Sequence, residues 1–210
     1  MILYSVVERI GLRRFLIALY RVQVSGAERI PESGPCILAA NHESLIDPFV
    51  LGLATRRPIR YMAKAELFRY PGLRAVMKGF GTFPVDRRAR DEEAIDTADR
   101  LLAEGQVLGI FPQGTCLPYR RRPFRRGAAR LALAAGCPLV PVGLVNTEKA
   151  LRPKRIHIGL PHISILVGEP LAIEPGRPTP EAAGAVTARL EQAIVDLLRH
   201  FPPPAHAWID

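Results

Sequence analysis

Short apolar segments recur along the chain, and most of them are bounded by glycine or proline. Runs of this length are typical of strands that are buried within a sheet. We predict strands at 22–24, 36–40, 60–63, 82–85, 107–111, 139–144, 155–158 and 163–167, with a turn-rich connection at 26–35. The apolar pattern therefore predicts a core built largely on one sheet.

Helical periodicity fills several of the intervals between these strands. An apolar stripe and an acidic first turn predict a helix over 91–104. Further helices are expected at 127–135 and from Pro180 to the proline run at 202–204. Strands that alternate with helices indicate an α/β fold, and we predict a single three-layer domain with a mixed, largely parallel sheet flanked by helices.

The first 20 residues form a separate feature, because their apolar positions share one side of a predicted helix and their basic residues lie largely on the other. Charged residues such as Arg9 and Arg13 keep every apolar run below the roughly 18 residues of a spanning helix, and the pattern is not that of a signal peptide. We therefore divide the chain into an amphipathic helix at 1–20 and one main domain at 21–210. The helix suits a membrane surface, and packing on the domain's own core is the equally open alternative.

Composition adds a preference for anionic partners. Lys and Arg outnumber Asp and Glu by 29 to 20, which gives a net charge of +9. Phospholipid, coenzyme phosphate and nucleic acid all fit this charge. Cys36, Cys116 and Cys137 are too scattered for a disulfide framework or a metal site, and the histidines lack ligand spacing. We expect a reducing compartment and no metal.

The candidate chemistry begins where the strand at 36–40 ends. His42 and Asp47 are five residues apart, and on a continuous helix they would be rotated about 140° from one another. They can meet only across a non-helical turn, and Pro48 suits the first turn of a following helix. A neutral imidazole held by a carboxylate is an effective general base near neutral pH.

Three more blocks follow this motif: Gly-Thr-Phe-Pro-Val-Asp-Arg at 81–87, Phe-Pro-Gln-Gly-Thr-Cys at 111–116 and Val-Pro-Val at 140–142. With His-x4-Asp they resemble, in the expected order, the four sequence blocks of the glycerolipid acyltransferase family. Bacterial members of that family acylate lysophosphatidate. The resemblance covers roughly residues 36–145.

The resemblance implies direct acyl transfer, with His42 as the base and Asp47 as its orienting partner. The acceptor it implies is a lysophospholipid, foremost 1-acylglycerol-3-phosphate, and the product is then phosphatidate. Acyl-CoA or acyl carrier protein serves as co-substrate, without a cofactor. The residues it places at the substrate are Asn41, Phe83, Arg87, Gln113, Gly114 and Thr115. The enzyme is then expected at membrane lipids, as a peripheral protein of the cytoplasmic face, without a nucleic-acid partner.

The third block departs from the family pattern at two positions. Gln113 stands where the family usually has Glu, and Cys116 where it usually has Arg, so a carboxylate and a bidentate guanidinium are missing. A basic cluster follows and is a candidate site for a donor or headgroup phosphate: Arg120, Arg121, Arg122, Arg125 and Arg126. Because of these departures the acceptor stays open, and a lyso-aminolipid is one alternative.

Three other interpretations compete with acyl transfer by His42. A Cys116 thiolate among arginines would be a nucleophile. Water in place of the lipid hydroxyl would make the chain a thioester or lipid hydrolase. A basic, non-catalytic module would bind membranes, or nucleic acid with Tyr119 and Phe124 stacked on bases.

Overall fold

The computed structural model of the protein describes residues 11–86, 92–116, 122–151 and 159–199. The strands within these ranges are β1 (Gln23–Ser25), β2 (Cys36–Ala40), β3 (Ile59–Lys64), β4 (Phe83–Val85), β5 (Val107–Ile110), β6 (Leu139–Val145) and β7 (Ser164–Val167). The helices are α1 (Leu12–Leu19), α2 (Asp47–Leu51), α3 (Pro71–Gly79), α4 (Glu92–Ala103), α5 (Gly127–Ala135), α6 (Thr147–Ala150) and α7 (Pro180–Leu198). Short 3-10 turns lie at Ala27–Arg29, Gly52–Ala54 and Ala65–Arg69.

The described strands form one sheet in the order β1-β7-β6-β2-β5-β3-β4. The five strands from β6 to β4 are mutually parallel, whereas β7 runs antiparallel to β6 and β1 runs parallel to β7. Parallel neighbours require crossover connections, which the alternating helices supply. The predicted mixed, largely parallel sheet is confirmed.

Strand β2 lies at the centre of the sheet, and all five of its residues are buried. Successive side chains of a strand point to opposite faces. Ile37 and Ala39 accordingly join a core with helices α4, α5 and α7, whereas Leu38 and its alternate neighbours join a second core with helix α2. Two apolar cores on either side of one sheet make the three layers that the sequence predicted.

Helix α1 packs on the second of these cores. Leu16 and Ile17 are partly buried against it, and Arg13 donates a hydrogen bond of 2.9 Å to the carbonyl of Leu53. Arg14 and Phe15 remain exposed. For 12–19 the structure thus favours packing on the domain, while 1–10 lies outside the described residues.

The predicted strands and the helices predicted at 91–104 and 127–135 are found where expected, to within one or two residues. Helix α1 begins only at Leu12, after Gly11 in the left-handed region, and α7 ends at Leu198, before the proline run. The strand predicted at 155–158 lies outside the described residues. Helix α2 lies where Pro48 indicated a helix start, whereas α3 and α6 were not predicted. Helices α2 and α6 have only five and four residues. Helices of that length are set by packing and by turns, since nucleation makes them unstable alone. No helix in the described ranges is long and apolar enough to cross a bilayer.

Gly109→Ala tests the packing near the carboxyl end of strand β5. A Cβ at Gly109 would overlap the ring of Tyr61 and lie 2.8 Å from Cγ2 of Ile59, and overpacking of this kind costs about 1–3 kcal/mol. We expect that loss of unfolding free energy in urea titrations. Gly72→Ala is the matched control, because its Cβ meets nothing within 4 Å. Equal stability of the two variants would contradict the packing described.

Candidate active site

The site lies where three central strands end together. Strands β2 and β5 are parallel, with Ala39 opposite Ile110, so the segments that begin at Asn41 and Phe111 leave the same edge of the sheet. Strand β6 runs parallel to β2 on its other side. The carboxyl edge of a parallel sheet is where ligands bind in open α/β folds.

Asn41 joins the end of β2 to β6. Its amide nitrogen donates to the carbonyl of Leu144 at 2.9 Å, and its amide oxygen accepts from the Leu144 N–H at 2.7 Å. The side chain is completely buried. The structure therefore gives Asn41 a supporting role under the His42 turn, and a substrate contact by this residue would require the buried pair of hydrogen bonds to open.

The segment after Asn41 folds around the carboxylate of Asp47. Oδ2 of this buried side chain accepts hydrogen bonds of 2.7 Å from the N–H groups of Glu43 and Ser44. The same oxygen lies 2.8 Å from Nδ1 of His42. Helix α2 starts at Asp47 with proline in its first turn. The expected non-helical turn that brings His42 and Asp47 together is confirmed.

His42 is held in one orientation by these contacts. Because Nδ1 faces the carboxylate, the proton lies on Nδ1 and Nε2 is the nitrogen left to accept a proton from a substrate. The imidazole stacks on the ring of Phe111, with centroids 4.3 Å apart and planes inclined at 22°. Its side chain is only 15% exposed. The geometry is that of a general base with one open nitrogen.

The aromatic support continues beyond Phe111. The ring of Tyr61 stacks on the ring of Phe111, at a centroid distance of 6.3 Å and an interplanar angle of 8°. Its hydroxyl donates to the carbonyl of Pro48 at 2.7 Å. Strand β3 is thereby connected both to the third block and to the helix that carries Asp47. Tyr61 was not among the predicted site residues, and no spacing in the sequence links it to His42.

Gln113 fixes the backbone of the same turn. Its Oε1 accepts a hydrogen bond of 2.5 Å from the N–H of His42, and the residue is buried. An amide and a carboxylate both present an acceptor oxygen for this bond. The Gln found where the family usually has Glu therefore supplies an acceptor that positions His42.

Gly114 lets an arginine approach the third block. Its φ of +74° lies in the left-handed region that favours glycine. A Cβ at this position would lie 2.8 Å from Nε of Arg125, so the guanidinium covers the face of the turn. The backbone N–H of Arg125 also donates to the carbonyl of Pro112 at 2.9 Å.

The other predicted substrate residues are more dispersed. Phe83 is partly buried against the first core, and Thr115 is half-buried. Arg126 is exposed and donates a hydrogen bond of 3.2 Å to the carbonyl of Pro180, which directs its side chain to the start of α7. Arg122 is also exposed, and no such hydrogen bond joins it to another described residue. The predictions for Arg87, Arg120 and Arg121 fall outside the described residues.

The environment of Cys116 argues against its use as a nucleophile. Burial, together with the negative charges of Asp47 and Glu43, raises the pKa of this thiol above its ordinary value. A nucleophilic cysteine needs a lowered pKa, since the thiolate is the reactive form. The raised pKa of this thiol disfavours the interpretation of Cys116 as a thiolate among arginines and favours a neutral side chain.

The described residues bring no set of three or more His, Cys, Asp and Glu side chains together for a metal ion. The site consists instead of a single imidazole, its carboxylate and backbone donors. An imidazole with one open nitrogen can take a proton from an attacking hydroxyl and return it to a leaving group.

An α/β sheet with a His-Asp pair at its carboxyl edge defines a class of enzyme that moves a proton during catalysis. Residues 21–145 match the family model described as Acyltransferase. The chain belongs to the acyltransferase family, which confirms the resemblance identified from the four sequence blocks.

Individual relatives support the same conclusion. A Bacillus subtilis 1-acyl-sn-glycerol-3-phosphate acyltransferase is 33% identical over 181 residues, 84% of this chain and 87% of that protein. A Saccharomyces cerevisiae protein of the same name is 31% identical over 86% of this chain and 60% of its own length. The crystal structure of the Thermotoga maritima 1-acyl-sn-glycerophosphate acyltransferase PlsC is similar in fold, with a TM-score of 0.70, 24% identity and coverage of 92% of this chain and 82% of that one.

Alkylation rates test the state of Cys116. Because its raised pKa reduces the thiolate fraction at pH 8, iodoacetamide should label it at least about tenfold more slowly in the folded protein than in the urea-unfolded protein. Peptide mass spectrometry at timed intervals separates it from Cys36 and Cys137. Labelling of Cys116 at the same rate in both states would contradict a neutral, shielded thiol.

Proposed function

We propose that this acyltransferase moves a fatty acyl group from acyl-CoA or acyl carrier protein to the free hydroxyl of 1-acylglycerol-3-phosphate, which yields phosphatidate. The observation that carries the proposal is the His42–Asp47 pair at 2.8 Å, with Nε2 of the imidazole left for the acceptor. The relatives named 1-acyl-sn-glycerol-3-phosphate acyltransferases support this choice of acceptor.

The reaction uses His42 twice. Nε2 takes the proton of the acceptor hydroxyl as its oxygen attacks the thioester carbonyl, and Asp47 stabilises the imidazolium that forms. The tetrahedral intermediate then breaks its carbon–sulfur bond, and the imidazolium returns the proton to the departing thiolate. The products are the new ester and a free thiol, so atoms and charge balance without a cofactor.

Direct transfer, without an acyl-enzyme, is supported by the state of the neighbouring thiol. Burial, together with the negative charges of Asp47 and Glu43, raises the pKa of Cys116. A neutral thiol is a poor nucleophile towards a thioester. The lipid hydroxyl, activated by His42, is therefore the attacking group.

We propose further that the enzyme works as a peripheral protein on the cytoplasmic face of an anionic bilayer. Leu45 lies between His42 and Asp47 in sequence and is exposed, as are Phe49 of helix α2 and Phe15 of helix α1. The exposed Arg14 adds positive charge beside Phe15. Apolar side chains next to basic ones suit the interface between headgroups and acyl chains, where the acceptor lipid is found.

The enzymatic proposal is tested by transfer of a labelled palmitoyl group from palmitoyl-CoA or palmitoyl-acyl carrier protein to lysophosphatidate. His42→Ala should lower the turnover by about a hundredfold or more, because the general base is lost. Cys116→Ser is the matched control and should retain most of the activity.

Three outcomes would contradict the proposal. Undiminished transfer by His42→Ala would show that His42 is not the general base. Release of free palmitate without phosphatidate would favour the hydrolase alternative. Transfer by wild type to a lyso-aminolipid, and not to lysophosphatidate, would replace the acceptor.

Membrane attachment is tested by sedimentation with vesicles of phosphatidylglycerol and phosphatidylcholine. The double variant Phe15→Ser, Leu45→Ser should bind several-fold more weakly than wild type, because each change removes apolar area from the interface. Vesicles of phosphatidylcholine alone are the control and should bind wild type more weakly. Equal binding of the variant and wild type to the anionic vesicles would contradict this surface.

A further inference from the structure

Position 116 creates an electrostatic problem for a phosphate-bearing acceptor. The side chain there is a neutral thiol, and the carboxylates of Asp47 and Glu43 act on it from nearby. Negative charge at that point repels a phosphate, and a thiol is only a weak hydrogen-bond donor. If the acceptor is lysophosphatidate, a cationic contact from the third block must therefore come from a residue other than Cys116.

Arg125 is the described arginine that the backbone ties to this block. Its N–H donates to the carbonyl of Pro112 at 2.9 Å, although the two residues are 13 positions apart in the chain. Pro112 and Gln113 belong to the same turn, and Gln113 holds the N–H of His42. Arg125 is therefore anchored to the residue that precedes Gln113, which positions the base.

The side chain of Arg125 turns onto the block rather than away from it. A Cβ on Gly114 would lie 2.8 Å from Nε, 3.1 Å from Cδ and 3.2 Å from Cζ of this arginine. Only a residue without a side chain leaves that space for the guanidinium. Gly114 thus does two things at once, since its φ of +74° shapes the turn and its missing Cβ admits the cation.

The guanidinium is also available to a ligand. Arg125 is exposed, and in the described part of the chain no carboxylate pairs with it. Arg126, its neighbour, behaves differently, because its Nη1 donates to the carbonyl of Pro180 and its guanidinium lies 3.8 Å from the Cβ position of Gly184. Consecutive arginines therefore face the third block and helix α7 respectively.

We infer that Arg125 binds the phosphate of the acceptor and so determines the acceptor specificity of the enzyme. Position 125 then supplies the guanidinium that the family usually has at position 116. This inference rests on the proposed function. A planar guanidinium offers two parallel N–H donors to a phosphate. Its backbone bond to Pro112, one residue before Gln113, connects this phosphate contact to the turn that positions the base.

Steady-state kinetics with lysophosphatidate and palmitoyl-CoA test the inference. Arg125→Ala should raise KM for lysophosphatidate about 10- to 100-fold, the range expected for loss of a charge-assisted hydrogen bond. The kcat and the KM for palmitoyl-CoA should stay within about twofold. Arg125→Lys, which retains the charge without the planar fork, should give an intermediate KM.

Arg130→Ala is the matched control, because Arg130 is an exposed arginine of helix α5 and its loss makes the same change in net charge. It should leave both KM values at the wild-type level. Circular dichroism melts establish that each variant is folded, and Arg125→Lys carries the test if the alanine variant is not.

The inference is overturned if KM for lysophosphatidate is unchanged in the Arg125 variants, or if kcat falls instead. A rise in the KM for palmitoyl-CoA alone would assign Arg125 to the donor's phosphates and likewise overturn it. The proposed function fails separately and earlier, if wild type transfers no acyl group to lysophosphatidate. The two failures are therefore distinguishable.

Discussion

The site depends on one carboxylate oxygen. Oδ2 of Asp47 receives the N–H groups of Glu43 and Ser44 at 2.7 Å and faces Nδ1 of His42 at 2.8 Å. The same atom therefore shapes the turn and orients the imidazole. Three donors directed at one buried oxygen explain how a negative charge is held there. Without this acceptor atom, the turn between His42 and Asp47 would lose the hydrogen bonds that bring the two side chains together.

Neighbouring strands keep that turn in register with the rest of the sheet. Asn41 bonds both backbone groups of Leu144, and Gln113 accepts the N–H of His42. Phe111 covers one face of the imidazole. The parallel pairing of β2 with β5 and β6 brings these residues together, because it places the ends of all three strands at one edge. The fold thus supplies the rigidity that a general base requires.

Much of this architecture could be predicted from local sequence. Buried strands such as β2 are recognisable as short apolar runs, and the 12-residue helix α4 is recognisable from the helical period of its apolar residues. The pairing of His42 with Asp47 was implied by the resemblance of the four sequence blocks to the acyltransferase family, and their spacing with Pro48 showed only that a non-helical turn could join them. The Gln113–His42 contact joins residues 71 positions apart, and the approach of Arg125 to Gly114 depends on a left-handed turn. Such contacts are created by tertiary packing, so no spacing or periodicity reveals them.

The central claim is that His42 and Asp47 act as one catalytic unit, and a double-mutant cycle measures this most directly. The kcat/KM for acyl transfer would be determined for His42→Ala, Asp47→Ala and the double variant, with circular dichroism as a check on folding. Residues that act as a unit are strongly non-additive. The account predicts that the double variant is no more impaired than His42→Ala alone. Losses that multiply would show two independent contributions and contradict it.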